Sequence, residues 1–256
     1  MQSLSTQKKN LIKDFIDHTQ ASQQQAIKAL EKYKWKLDQA VDYWFDNGFV
    51  AEKKKVSQQA IKLYDEYKSE DGDYIYEKTA DFISDMGVDP SELLTYFICM
   101  KLNSKEDFSL EKEGFLQGMA DLGCTTMADL KKIVPNLRKQ MEKNFDEFYN
   151  WCGRYECGAI KDPKIKFIKG INKDSEQKIT NLLQSLLKEK NCPYLDDLIK
   201  FIDEQIEKNS QFQISLDTWD MINVFVNEMK GNLGNYDEFG AWPALVDEFM
   251  ETQKKE

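Results

Sequence analysis

Apolar residues in this chain recur three and four positions apart almost throughout, and strand-like alternation is nearly absent. Gly (12) and Pro (5) are sparse among the 256 residues, so little interrupts a helix. The pattern predicts an all-α fold. Ile179, Leu182, Leu183, Leu186 and Leu187 form one helical stripe, and Leu195, Leu198, Ile199, Ile202 and Ile206 form another. The first reads as a core helix rather than a leucine zipper, because it lasts barely one heptad. The length accommodates one large domain or two smaller ones.

Residues 5–48 read as a module of three short helices. Leu11, Ile12, Phe15 and Ile16 line the first, Ala26, Ala29 and Leu30 the second, and Leu37, Ala40, Val41, Trp44 and Phe45 the third. Ser22 is placed to cap the second helix, and Asn47-Gly48 to end the third. The segment 49–57, with Lys53 to Lys55, is the linker candidate, and residues 58–252 form a larger helical domain. There Pro90 is expected to start a helix, and Gly123 to end another.

Composition removes several chemistries. The one histidine, His18, makes a Ser-His-Asp triad or a multi-His zinc site untenable. Cys99, Cys124, Cys152, Cys157 and Cys192 are odd in number and scattered without a CxxC, which reads as buried, reduced thiols in a reducing compartment. No phosphate-binding glycine motif appears, and no catalytic residue, metal site or cofactor is expected. No stretch has the apolar length of a signal peptide or a membrane span. A net charge of -10 argues against nucleic acid and anionic membranes and favours a partner with a basic patch.

Ser69 to Asp73 followed by Ile75 suggests an EF-hand-like helix–loop–helix unit. With Ile75 at the central apolar position, the first ligand position falls on Lys68 and the last on Thr79, so calcium lacks its carboxylates. Residues 158–174 are the least helical stretch and carry Lys161, Lys164, Lys166, Lys169 and Lys173. They read as a solvated basic insertion or as a contact for a charged partner.

The segment from Ile214 to Met250 is the most distinctive. Ser215 or Asp217 can cap a helix carrying Trp219, Met221, Ile222 and Phe225, Gly240 relieves a tight turn, and Pro243 suits the first turn of the closing helix. Ala241, beside two Trp and flanked by Asp217 and Asp247, could sit in an acidic-rimmed pocket. The bland alternative is an N-cap at Asp217 and a solvated charge at Asp247.

The run DTWDMINVF followed by NYDEFGAWPALVDEFME resembles the C-terminal signature of the defective-in-cullin-neddylation family. DPSELLTYFICMKL and FLQGMADLGC resemble its upstream segments, and LIKDFIDHTQASQQQAIKALEKYKWKLDQAVDYWF its ubiquitin-associated (UBA) domain. The resemblance implies a UBA-like module followed by a helical potentiating-neddylation domain with EF-hand-like units. It implies a scaffold-type co-ligase, itself not an enzyme. Such a scaffold binds a cullin winged-helix domain and the conjugating enzyme, and so promotes transfer of a ubiquitin-like modifier by the RING subunit. The cullin-binding patch of the family matches Asp217, Ala241 and Asp247. Its apolar pocket for the acetylated N-terminal Met of the conjugating enzyme aligns with Ile98, Leu102, Phe108, Leu110, Tyr155 and Leu186, where a plain core role is the alternative. Phe108 and Leu110 depart from the usual residues, and Tyr155 stands where a Phe is expected. In the UBA-like module, Phe15, Thr19 and Gln20 fall at the first loop, where such domains grip ubiquitin, although the common Met-Gly-Phe loop is absent. A ubiquitin receptor is therefore the competing reading, and a cytoplasmic location, with the nucleus open to it, is the expectation.

Overall fold

In a computed structural model, residues 6–19, 21, 23–46, 56–171 and 177–254 are described. Ser22, Asn47, Gly48 and the linker residues 49–55 lie outside them. The chain divides into two compact units between Lys55 and Val56.

The first unit holds α1 (Thr6–Thr19), α2 (Gln23–Lys32) and α3 (Leu37–Asp46). Its core is small, so aromatic rings fill it. Phe15 meets Trp44 edge to face at 5.7 Å, and both are buried. The end of α2 is a left-handed reversal at Lys34 (φ 53°), whose N–H reaches the Glu31 carbonyl while that of Trp35 reaches the Leu30 carbonyl.

The second unit starts with α4 (Gln58–Tyr67), β1 (Tyr74–Ile75), α5 (Thr79–Asp85), α6 (Leu93–Lys101), β2 (Leu110–Glu111) and α7 (Lys112–Leu122). It continues through α8 (Met127–Lys143), α9 (Phe145–Glu156), β3 (Phe167–Lys169), α10 (Ile179–Leu187), α11 (Leu195–Lys208) and β4 (Gln213–Ser215). The last elements are α12 (Leu216–Met229) and α13 (Ala244–Gln253). The fold is all-α, with two small antiparallel strand pairs among the described residues. No helix among the described residues is long and apolar enough to cross a membrane.

Those pairs explain the architecture. Helix–loop–helix units are joined two by two through their loops. β1 meets β2 with Ile75 opposite Leu110, and β3 meets β4 with Ile168 opposite Ile214. All four central side chains are buried, so each loop pair clips four helices onto one core. Around the β1–β2 pair, the ammonium groups of Lys68 and Lys112 lie 3.4 and 3.9 Å from Asp73. The Thr79 hydroxyl donates to the carbonyls of Ile75 (3.3 Å) and Phe108 (3.0 Å). Lysine and hydroxyl thus stand where a calcium loop presents its ligands.

Two boundaries differ from expectation. The helix after Pro90 begins only at Leu93, because Asp89 Oδ1 accepts from the N–H and the hydroxyl of Ser91 and holds a turn there. The basic stretch 158–174 is not merely a solvated insertion: it supplies β3, whose Ile168 is buried, while Lys161, Lys164, Lys166 and Lys169 remain exposed. Lys173 lies outside the described residues.

At the start of α8, Thr126 and Asp129 cap the helix reciprocally. The Asp129 carboxylate accepts from the backbone N–H of Thr125 (3.1 Å), the hydroxyls of Thr126 (2.9 Å) and Thr125 (3.1 Å), and the Thr126 N–H (3.1 Å). These donors hold its carboxyl below the usual range, the Thr125 N–H foremost. A depressed folded-state value means the cap stabilises above the unfolded carboxyl range, ~3.9, and is lost as pH falls through the folded value. Melting temperature against pH should therefore fall in acid, and Asp129→Asn should make that fall shallower while lowering stability at neutral pH.

Candidate functional site

The site is built on α12, the loop after it, and α13. Ser215 ends β4 and caps α12, its hydroxyl accepting from the Thr218 N–H at 3.0 Å. This leaves Asp217 exposed in the first turn, where the helix dipole favours a negative charge. Two residues on, Trp219 points the opposite way and is fully buried. Its indole stacks on Tyr149 at 4.9 Å and donates to the Tyr149 carbonyl at 3.1 Å. Trp219 is therefore a core residue and lines no acidic-rimmed pocket. Next to it, Asp220 takes Arg154 of α9 in a two-pronged ion pair at 2.9 and 2.7 Å, which pins α12 to α9.

The loop that follows is tied to itself. The Asp237 carbonyl accepts from the Gly240 N–H and from the Trp242 indole, both at 3.0 Å, and its carboxylate from the Phe239 N–H at 3.0 Å. Gly240 is required by space: a Cβ there would come 2.6 Å from the Trp242 indole nitrogen. Trp242 lies against Tyr236 and meets Phe225 edge to face at 5.7 Å. Ala241 is left exposed. Pro243 precedes α13 as its extended N-cap, one position earlier than its expected place in the first turn.

Asp247, in the first turn of α13, is half-buried rather than a freely solvated charge. Its carboxylate accepts from the Tyr236 hydroxyl at 2.5 Å. Burial, and then this hydrogen bond, push the Tyr236 phenol up to about 12. Tyr236 is the partner that sequence reasoning missed; its signal was its place in the signature run, eleven positions ahead of the carboxylate. Ala241 and Asp247 thus belong to one loop-and-helix unit. Trp242 and Phe249 pack that unit onto Phe225 of α12, the helix whose first turn carries Asp217. Carboxylates at two helix N-termini, with a small residue between them in the chain, can receive basic side chains.

The six residues aligned with the apolar pocket are mostly closed into the core. Ile98, Leu102, Leu110 and Leu186 are at most 1% exposed, Tyr155 is buried, and Phe108 is half-buried. Phe108 and Tyr155 meet at 5.9 Å, and Tyr96, not singled out by sequence, lies 4.8 Å from Phe108. The Tyr155 hydroxyl explains its departure from Phe. It accepts from the Phe108 N–H (2.6 Å) and donates to the Ser104 hydroxyl (2.7 Å), which itself donates to the Ser109 carbonyl. Those bonds hold a loop in which Asn103, Asp107 and Phe108 all take positive φ (58°, 46° and 55°). Shallow hollows of about 430 and 480 Å³ lie along α11 and between α10 and α11, lined by other residues.

In the first unit, two of the residues expected to contact ubiquitin lie inside the fold. Phe15 is fully buried against Trp44, because the third helix covers it. Thr19 is buried too, its hydroxyl donating to the Phe15 carbonyl at 2.6 Å to finish α1. Neither side chain offers a surface, and Gln20 lies outside the described residues. Among the described residues of that unit, Phe45 on α3 is the large apolar side chain left exposed, at 60%.

Comparison with known proteins matches two family models: cullin binding over residues 129–252, and a UBA-like domain over residues 9–51. "Defective in cullin neddylation protein 1" of Yarrowia lipolytica is 25% identical, over 95% of this chain and 96% of its own length. The protein of the same name from Candida albicans is 23% identical over the same shares. Human "DCN1-like protein 5" is 27% identical over 77% of this chain and 78% of its own. Asp217, Ala241 and Asp247 all fall inside the cullin-binding segment, and the chain carries a cullin-binding and a UBA-like domain and is similar to proteins named for defective cullin neddylation.

Proposed function

We propose that this protein is a scaffold-type co-ligase for cullin neddylation. It holds a cullin winged-helix domain at Asp217, Ala241 and Asp247 and brings the charged conjugating enzyme alongside, so that the RING subunit's transfer to a cullin lysine becomes effectively intramolecular. The observation that carries this reading is the cullin-binding match over the segment presenting those residues. Its net charge of -10 suits a basic partner and would speed the encounter.

The chemistry belongs to the conjugating enzyme. A thioester-forming ligase needs an activated thiolate, whereas burial pushes all five thiols up, Cys99 to about 12 and Cys192 to about 11. The acetylated N-terminal Met of the conjugating enzyme would enter at the half-buried Phe108, the accessible edge of the cluster formed by Ile98, Leu102, Leu110, Tyr155 and Leu186. Acetylation removes a charge that would otherwise have to be desolvated.

A single-turnover transfer from charged conjugating enzyme to cullin, with and without this protein, tests the proposal. The expected result is acceleration with no modifier found on this chain in a non-reducing gel. No acceleration, or a reducible adduct on this chain, would overturn it. The exposed Phe45 favours the second reading, a ubiquitin receptor. That reading requires ubiquitin affinity that Phe45→Ala removes, together with indifference to cullin.

A further inference from the structure

We propose that Phe239 is the aromatic anchor of the docking surface, seated in an apolar socket of the cullin winged-helix domain beside the basic groups that meet the two aspartates. This rests on the cullin-binding reading and adds the apolar centre that a pair of carboxylates cannot supply. Phe239 is 91% exposed, the most exposed large apolar side chain among the described residues. An isolated exposed apolar residue is ordinary, but this one is held outward by its loop. Its own N–H is tied to the Asp237 carboxylate, and the next two donors along, Gly240 N–H and the Trp242 indole, are tied to the Asp237 carbonyl, all at 3.0 Å. Trp242 is in turn wedged against Tyr236 and Phe225. The ring is thus presented on a rigid platform, and little backbone freedom would be lost on binding. Exposed Ala241, two positions on, leaves room for a partner's backbone, so the anchor is continuous with the proposed patch.

Charge selects the occupant. In the chain, Asp237 and Glu238 precede the ring, and Asp247 and Glu248 follow Ala241; all but the half-buried Asp247 are exposed, and Glu238 pairs with Lys254 at 3.2 Å. An aromatic centre within an acidic rim fits a partner whose apolar socket has a basic rim. A second copy of this chain, at -10, would be repelled, as would an anionic membrane.

The test is a calorimetric titration of a cullin winged-helix domain with the full chain and its Phe239→Ala, Phe239→Leu and Asp217→Lys variants. Phe239→Ala should weaken binding at least about thirtyfold, the level of an interface hot spot. Phe239→Leu should recover part of the loss. Circular dichroism and melting temperature should not move, since the ring lies almost wholly outside the fold. Binding by Phe239→Ala within about twofold of the parent, with Asp217→Lys defective, would overturn the anchor and leave the acidic patch standing. No binding by the parent would remove the cullin reading and the anchor together. Sedimentation showing a dimer that Phe239→Ala dissolves would overturn the proposal in favour of self-association.

Discussion

Replacing Asp217 and Asp247 together with lysine is expected to remove measurable binding to a cullin winged-helix domain. Truncating one member of a desolvated interfacial charge pair costs about 2–5 kcal/mol, roughly thirtyfold to several thousandfold in affinity. Reversal adds repulsion against the same basic groups. The two positions differ in what else they lose. Asp217 is exposed, and its substitution sacrifices only the modest attraction of a first-turn carboxylate for the helix dipole. Asp247 also accepts from Tyr236, so Asp247→Lys leaves that half-buried hydroxyl to find a new partner. Asp217→Lys is therefore the cleaner single change. Calorimetry beside circular dichroism checks both, and affinity of the parent should fall as salt is raised. A folded double variant that binds like the parent would remove the acidic patch from the mechanism.

The largest expected effect on stability is at Trp219. Trp219→Ala should cost about 3–5 kcal/mol, as large-to-small changes in a packed core do. The side chain is fully buried, stacks on Tyr149, and satisfies the Tyr149 carbonyl. It also fills the contact between α9 and α12, which is so close that a Cβ on Gly153 would lie 2.5 Å from the indole. Gly153→Ala should accordingly be destabilising by about 1–3 kcal/mol through overpacking. In the Trp219→Ala background the same change should cost far less, because the space it needs has been vacated. Urea midpoints of the four proteins measure this directly. A Trp219→Ala loss below about 1 kcal/mol would mean the helices collapse onto the gap. Because α12 carries Asp217, cullin binding should weaken with the fold in this variant even though no docking residue is altered.

The uneven legibility of the chain follows from the range of the forces involved. Where one face of a long helix repeats, as over Leu195 to Ile206, period and burial agree residue by residue apart from the partly covered Ile199. Strands of two or three residues have too few positions to show a period. β3 was hidden among lysines because only Ile168 turns inward, and its partner Ile214 lies 46 positions further on. Pro90 marked a helix start that Asp89 postpones by a competing turn with Ser91. Phe15 and Thr19 sit at the end of a helix, where a residue may face either solvent or core, and Trp44 decides it. Phe239 and Phe249 are both phenylalanines of one short segment, yet one is 91% exposed and the other fully buried.

The sequence by itself determined the all-helical class and, in the run NYDEFGAWPALVDEFME, the family resemblance that singles out Ala241 and Asp247. Each of these depends on residue identity and local spacing alone. Only the tertiary structure decided that Trp219 is core while Asp217 beside it is surface, that Asp247 is held by Tyr236, and that Phe239 stands outside the fold. Burial and hydrogen bonding depend on which distant segment arrives to cover a side chain, and that is settled by packing across the whole domain.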